Sequence, residues 1–262
     1  MALDIDRFAN VASPVQRWDP RFKIAALMFL IVCIALLKTL PVAAVAFGIA
    51  ALILLSTALP LHFVSHGLTF VVVFLLPFFV VMPLTYPGEP AFTIIGLPFA
   101  WEGLRIASLI FIKALSVVLI SFAVFGSSRF DVSMLALQRL KCPPLIVQML
   151  LFTYRYTFVF LDEMRRMYTS MRARGFVAHA DRKTLHVFGN FVGTLLVHSF
   201  ERTERVYKAM LSKGYQGQLH SMVTFRAIPG DYVKAAIALV IALALVITDA
   251  SGVFAVAERG WF

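Results

Sequence analysis

Charge is scarce in this sequence, and its absences are as informative as its concentrations. From Thr39 to Gly88, 50 consecutive residues carry no Asp, Glu, Lys or Arg, whereas a membrane-crossing helix needs only about 20 apolar residues. Charged residues make up 15% of the chain and hydrophobic ones 60%, with a mean hydropathy of +0.86. That balance excludes an ordinary soluble domain, whose apolar usage is roughly 45–50%. Cysteine is almost missing: Cys33 lies inside an apolar run and Cys142 precedes Pro143-Pro144, and neither belongs to a pattern that would build a disulfide framework or a zinc site. The chain also lacks a GxxxxGK[ST] phosphate loop, an HExxH pair and a nucleophile elbow, so no catalytic residue is expected. His62 and His66 share a helical face by spacing, but two histidines lack the remaining ligands of a metal site, and neither a metal nor a cofactor site is expected. The opening Met1-Ala2-Leu3-Asp4-Ile5-Asp6-Arg7 has no apolar core of a cleaved signal, so the N-terminus is expected to stay.

What is present is a series of apolar runs with clear punctuation. Asp19-Pro20 reads as a helix start, with Asp as the cap and Pro at the first helical position. Trp18, Arg21 and Lys23 beside it suit a membrane interface. Spans are expected at about 22–40, 42–59 and 67–84, broken near Pro60-Leu61-His62. A loop containing Gly88 and Gly96 follows, then a fourth span from Trp101 to Phe125 and a fifth from Tyr232 to Thr248. Lys113 falls inside the fourth, where a cation is costly unless it faces protein or water or snorkels along its own stem. The reading is an all-α, polytopic helical membrane protein with about five transmembrane helices.

The charge that does exist is concentrated. The formal net charge is +10, and residues 129–226 hold fifteen cations against six acids, which is +9 of it. Positive charge is retained in the cytoplasm, so this block is expected there, with the N-terminus on the same side after four spans. Within it, Leu145, Met149, Phe152, Tyr156, Phe160, Met164, Met167 and Met171 recur three or four apart, the stripe of a helix from Leu145 to Arg174. A second amphipathic helix is expected over about Asp181 to Ser212, with Phe188, Val192, Leu196, Phe200, Tyr207 and Leu211 along one face. Each ends on a cation, a glycine and an aromatic: Ala173-Arg174-Gly175-Phe176 and Ser212-Lys213-Gly214-Tyr215, the cations 39 positions apart. A last-turn cation complements the helix dipole and a glycine closes the helix. Two such ends in one segment are what a paired partner with two grooves would require, each cation meeting a carboxylate.

This arrangement resembles the transmembrane T component of energy-coupling factor (ECF) transporters, and within it the CbiQ-like subunits of cobalt and nickel uptake. The resemblance rests on the opening Asp6-Arg7-Phe8-Ala9, on Trp18-Asp19-Pro20-Arg21-Phe22-Lys23, on four spans, a helical cytoplasmic segment and a last span, and on Ala173-Arg174-Gly175. Ser212-Lys213-Gly214 matches the second motif of that family with serine for alanine and lysine for arginine. The resemblance implies a coupling subunit of an ABC importer in a bacterial cytoplasmic (inner) membrane, itself without catalysis. Its partners would be two ABC-type ATPases gripping Ala173, Arg174, Gly175, Ser212, Lys213 and Gly214, a metal-binding membrane S component similar to CbiM, and a small accessory membrane subunit, with no nucleic acid. The implied layout is an N-terminal segment over 1–21, helices over 22–126, a coupling domain over 127–230 and a last helix with its tail over 231–262. A vitamin in place of the metal, or an adaptor binding anionic lipid, are the alternative readings.

Overall fold

A computed structural model describes residues 15–16, 18–85, 90–94, 97–217, 225 and 227–251. Its elements in chain order are α1 (Pro20–Leu36), α2 (Leu40–Ser56), α3 (Leu61–Leu75), α4 (Phe78–Thr85), β1 (Pro90–Ile94), β2 (Leu97–Ala100), α5 (Trp101–Gly126), α6 (Phe130–Arg139), α7 (Pro144–Ala173), α8 (Arg182–Ser212) and α9 (Pro229–Ala250). They fall into two compact units, one formed mainly by Lys141–Val223, the other by Asp4–Leu140 and Thr224–Phe262.

The larger unit is a helical bundle in which α5 packs against α1, α2, α3 and α4, and α1 packs also against α6 and α9. Its core is aliphatic and small: Leu27, Leu30 and Ile34 of α1, Ala46 and Ala50 of α2, Ile120 and Val124 of α5, and Ala242 of α9 are fully buried. Small side chains let helix backbones approach closely where the surrounding lipid gives no hydrophobic drive to associate. The expected start of α1 is confirmed in detail, since the Asp19 carboxylate accepts the Arg21 backbone N–H at 3.0 Å and Pro20 is the first helical residue. Although burial opposes it, hydrogen bonding to Arg21 holds the Asp19 carboxyl below the usual carboxylate range. The Trp18 indole N–H donates to the Asp231 carbonyl at 3.2 Å, the Phe22 and Tyr232 rings meet at 4.6 Å, and Lys23 donates to the hydroxyls of Ser127, at 3.0 Å, and Ser128. Thus the Trp18-to-Lys23 motif ties the start of α1 to the start of α9 and the end of α5.

At its other end α1 turns into α2 through Leu37-Lys38-Thr39, several residues earlier than expected. The Asp249 carboxylate closes that turn, accepting from the backbone N–H of Lys38 and of Thr39 at 2.9 Å each and from the Thr39 hydroxyl at 2.6 Å. An acid late in the last helix therefore caps the N-terminus of α2, where negative charge meets the positive end of the helix dipole. Lys113 of α5 donates to the Ala35 carbonyl of α1 at 2.9 Å, on the exposed side of the two helices. Pro77, which has no N–H to donate, separates α3 from α4. The stretch read as a loop contains a short antiparallel pair of strands, with Ile94 opposite Leu97.

Among the described residues four helices are long and apolar enough to cross a membrane: His62–Thr85, Trp101–Gly126, Pro144–Ala173 and Pro229–Ala250. This set differs in membership from the five expected spans for two reasons. Helices α1 and α2 have 17 residues each, the short limit for a span. Helix α7 qualifies because its first half is nearly uncharged, only Arg155 interrupting Pro144 to Leu161, whereas its second half carries Asp162, Glu163, Arg165, Arg166 and Arg172.

Candidate functional site

The smaller unit is a hairpin of two long helices, α7 with 30 residues and α8 with 31. Three contacts set their direction: the Phe176 and Phe188 rings at 5.7 Å, His198 Nδ1 to the Glu163 carboxylate at 3.5 Å, and the Tyr215 hydroxyl donating to Gln148 Oε1 at 2.8 Å. As one partner moves back along the chain the other moves forward, so the helices are antiparallel. Glu163 is also held by Arg166 at 2.8 Å.

Both helices stop in the same way. Ala173 and Ser212 are the last helical residues, and Arg174 and Lys213 are the C-caps, at φ −89°, ψ 15° and φ −93°, ψ 11°. Gly175 and Gly214 follow, both at φ +81°, in the left-handed region that only glycine enters without strain. At the first end the Gly175 N–H donates to the Arg172 carbonyl at 3.0 Å and the Phe176 N–H to Met171 at 3.1 Å. At the second, Gly214 donates to Leu211 at 2.9 Å and Tyr215 to Met210 at 3.0 Å. These paired bonds are those of a Schellman closure. At the second end the Ser212 hydroxyl is satisfied within its own helix, donating to the Lys208 carbonyl at 3.0 Å.

All six motif residues are exposed. Neither Arg174 nor Lys213 makes an ion pair among the described residues. The structure does not bring the two tips together. Tyr215 reaches Gln148, 26 positions before Arg174, so at 1.5 Å per residue the tips stand roughly 40 Å apart at opposite ends of the hairpin. Beside the first tip lies a cleft of about 350 Å³ lined by His179, Asp181, Arg182, Thr184, Leu185 and Phe188.

The apolar surface of α8 differs from its expected form. The partly buried row is Val187, Phe188, Phe191, Leu195, Val206 and Met210. The neighbouring row, Val192, Leu196, Phe200, Tyr207 and Leu211, was expected to share a face with Phe188, yet it is exposed, Phe200 to 72%. Helix α8 thus carries two adjacent apolar rows. Sequence reasoning missed Gln148, whose only signal was being the one polar residue between Leu145 and Leu151, and the capping role of Asp249, an acid read only as lying late in the last span.

A sequence profile of the CbiQ family, described as cobalt transport protein, matches residues 12–225, taking in both tips. An uncharacterized protein of Methanocaldococcus jannaschii is 24% identical over 221 residues, 82% of this chain and 75% of its own length. An energy-coupling factor transporter transmembrane protein, EcfT, of Heliobacterium modesticaldum is 32% identical over 104 residues, 39% of each chain. A cobalt transport protein CbiQ of Rhodobacter capsulatus is 28% identical over 89 residues, 34% of this chain and 36% of its own. With a bundle of apolar helices, two long arms and a family match over most of its length, this chain belongs to the CbiQ family and is a multi-pass membrane protein of the T-component type of energy-coupling factor transporters.

Proposed function

We propose that this protein couples ATP turnover to cobalt import: two cytoplasmic ATPases hold its two helix tips, and the arms pass their motion to a separate membrane S component that carries the substrate. The observation that carries this reading is the duplication of one backbone geometry, two C-caps within a few degrees of each other, each lifting into solvent a cation that makes no ion pair among the described residues. A partner made of two like subunits offers two like grooves, and tips roughly 40 Å apart suit separate subunits better than one groove. In this reading the +9 segment containing α7 and α8 is cytoplasmic and performs no chemistry, ATP hydrolysis belonging to the partners. Cobalt is supported by the family's description and by the relative from Rhodobacter capsulatus.

The test is co-purification of the full chain with its ATPases, together with cobalt uptake. Arg174→Ala and Lys213→Ala should each lower ATPase recovery and uptake while the chain still inserts and accumulates in the membrane. Wild-type recovery and uptake in both variants would remove the docking role. A vitamin is the second reading for the cargo, favoured by the relative named for energy coupling without mention of a metal; uptake of a vitamin but not of cobalt by the complete transporter would establish it.

A further inference from the structure

The two tips share a backbone but not a support. Phe176, after the first, rests edge-on against Phe188, with ring planes at 80°, an apolar contact of broad geometry. Tyr215, after the second, enters a directional arrangement. Its hydroxyl donates to Gln148 Oε1 at 2.8 Å, while Gln148 Nε2 donates to the Gly217 carbonyl at 3.3 Å. Gln148 is buried, 5% exposed, in the otherwise apolar run Leu145-Ile146-Val147-Gln148-Met149-Leu150-Leu151. Both faces of its amide are therefore spent on one loop, and turning the amide over would set its oxygen against the Gly217 carbonyl. The loop is shaped for this. Gly214 at φ +81° and Gly217 at φ +86° turn the chain twice, returning Tyr215 and Gly217 to the same side chain.

We infer that Gln148 is the positioning residue of the second tip, gripping Tyr215 and Gly217 so that Lys213 is held by the start of α7 as well as by its own helix. The inference rests on the docking reading above and explains why the weaker motif works. Arginine brings a planar fork that orients itself on a carboxylate, whereas lysine brings a point charge on a flexible stem. A lysine tip therefore needs its precision from the backbone beneath it, and the Gln148 amide supplies that.

The experiment measures the affinity of the ATPase pair for the full chain carrying Tyr215→Phe, Gln148→Met or both, each in the wild-type, Arg174→Ala and Lys213→Ala backgrounds. Tyr215→Phe removes one hydroxyl and leaves the ring packed. Loss of one net hydrogen bond should weaken binding roughly fivefold, and the double variant should be no worse than Gln148→Met alone. The effect should persist beside Arg174→Ala and vanish beside Lys213→Ala, because only the second tip depends on the grip. A general weakening of the hairpin would lower affinity equally in all three backgrounds, which would overturn the inference. So would wild-type affinity of both variants in a chain that Lys213→Ala does weaken. If Arg174→Ala and Lys213→Ala themselves bind as wild type, the docking reading falls and takes this inference with it.

Discussion

At φ +81°, Gly175 and Gly214 occupy a conformation that costs an L-residue with a Cβ roughly 1–2 kcal/mol, and nothing lies within 4 Å of where that Cβ would be. The expected penalty for alanine is therefore conformational alone and equal at the two sites. Gly175→Ala and Gly214→Ala should lower the thermal midpoint of the purified chain by similar amounts, while Gly214→Asn should lose less, because asparagine tolerates the left-handed region better than alanine does. A larger loss at one site than at the other would mean that the two closures are not built alike. Gly103 is different in kind: a Cβ there would lie 2.6 Å from the Met82 carbonyl oxygen and 2.6 Å from Pro83 Cα, both backbone. Gly103→Ala must push α4 away from α5, at about 1–3 kcal/mol by the usual cost of overpacking. Gly48→Ala, with open space around it, should raise stability by up to about 1 kcal/mol through helix propensity. The same thermal measurement checks both.

Among the elements, the arms were the most legible. Helix α7 was expected over Leu145 to Arg174 and runs Pro144–Ala173; α8 was expected over Asp181 to Ser212 and runs Arg182–Ser212. Pro144, Gly175, Asp181 and Gly214 punctuate them chemically, by a missing N–H, a left-handed turn or a capping carboxylate. The same holds for Asp19-Pro20 at the start of α1. What could not be read were pairings at long range: Gln148 lies 67 positions from Tyr215, and Asp249 lies 210 from Thr39, and no local pattern marks a polar residue that is satisfied so far away. The row of α8 that turns inward was also hidden, because leucine, valine and phenylalanine fill both adjacent rows and periodicity alone favours neither. The tips illustrate the division: their residues and closure follow from local sequence, whereas the grip on the second depends on another helix.

For the whole molecule, sidedness is the property on which the proposed coupling depends, and the two cysteines allow it to be measured without engineering. Cys142 is partly exposed and stands at the head of the +9 segment, while Cys33 is buried in α1. A membrane-impermeant thiol reagent should leave Cys142 unmodified in intact cells and modify it once they are opened. Modification in intact cells would place the segment, and with it both tips, on the wrong side for ATP-consuming partners.

Helices α1 and α2, at 17 residues each, reach about 26 Å at 1.5 Å per residue, whereas α5 with 26 residues reaches about 39 Å. A hydrocarbon layer is about 30 Å thick. A span shorter than the hydrocarbon layer is met by local thinning or by snorkelling of flanking cations such as Lys38, so the lipid beside α1 and α2 is expected to lie shallower than beside α5.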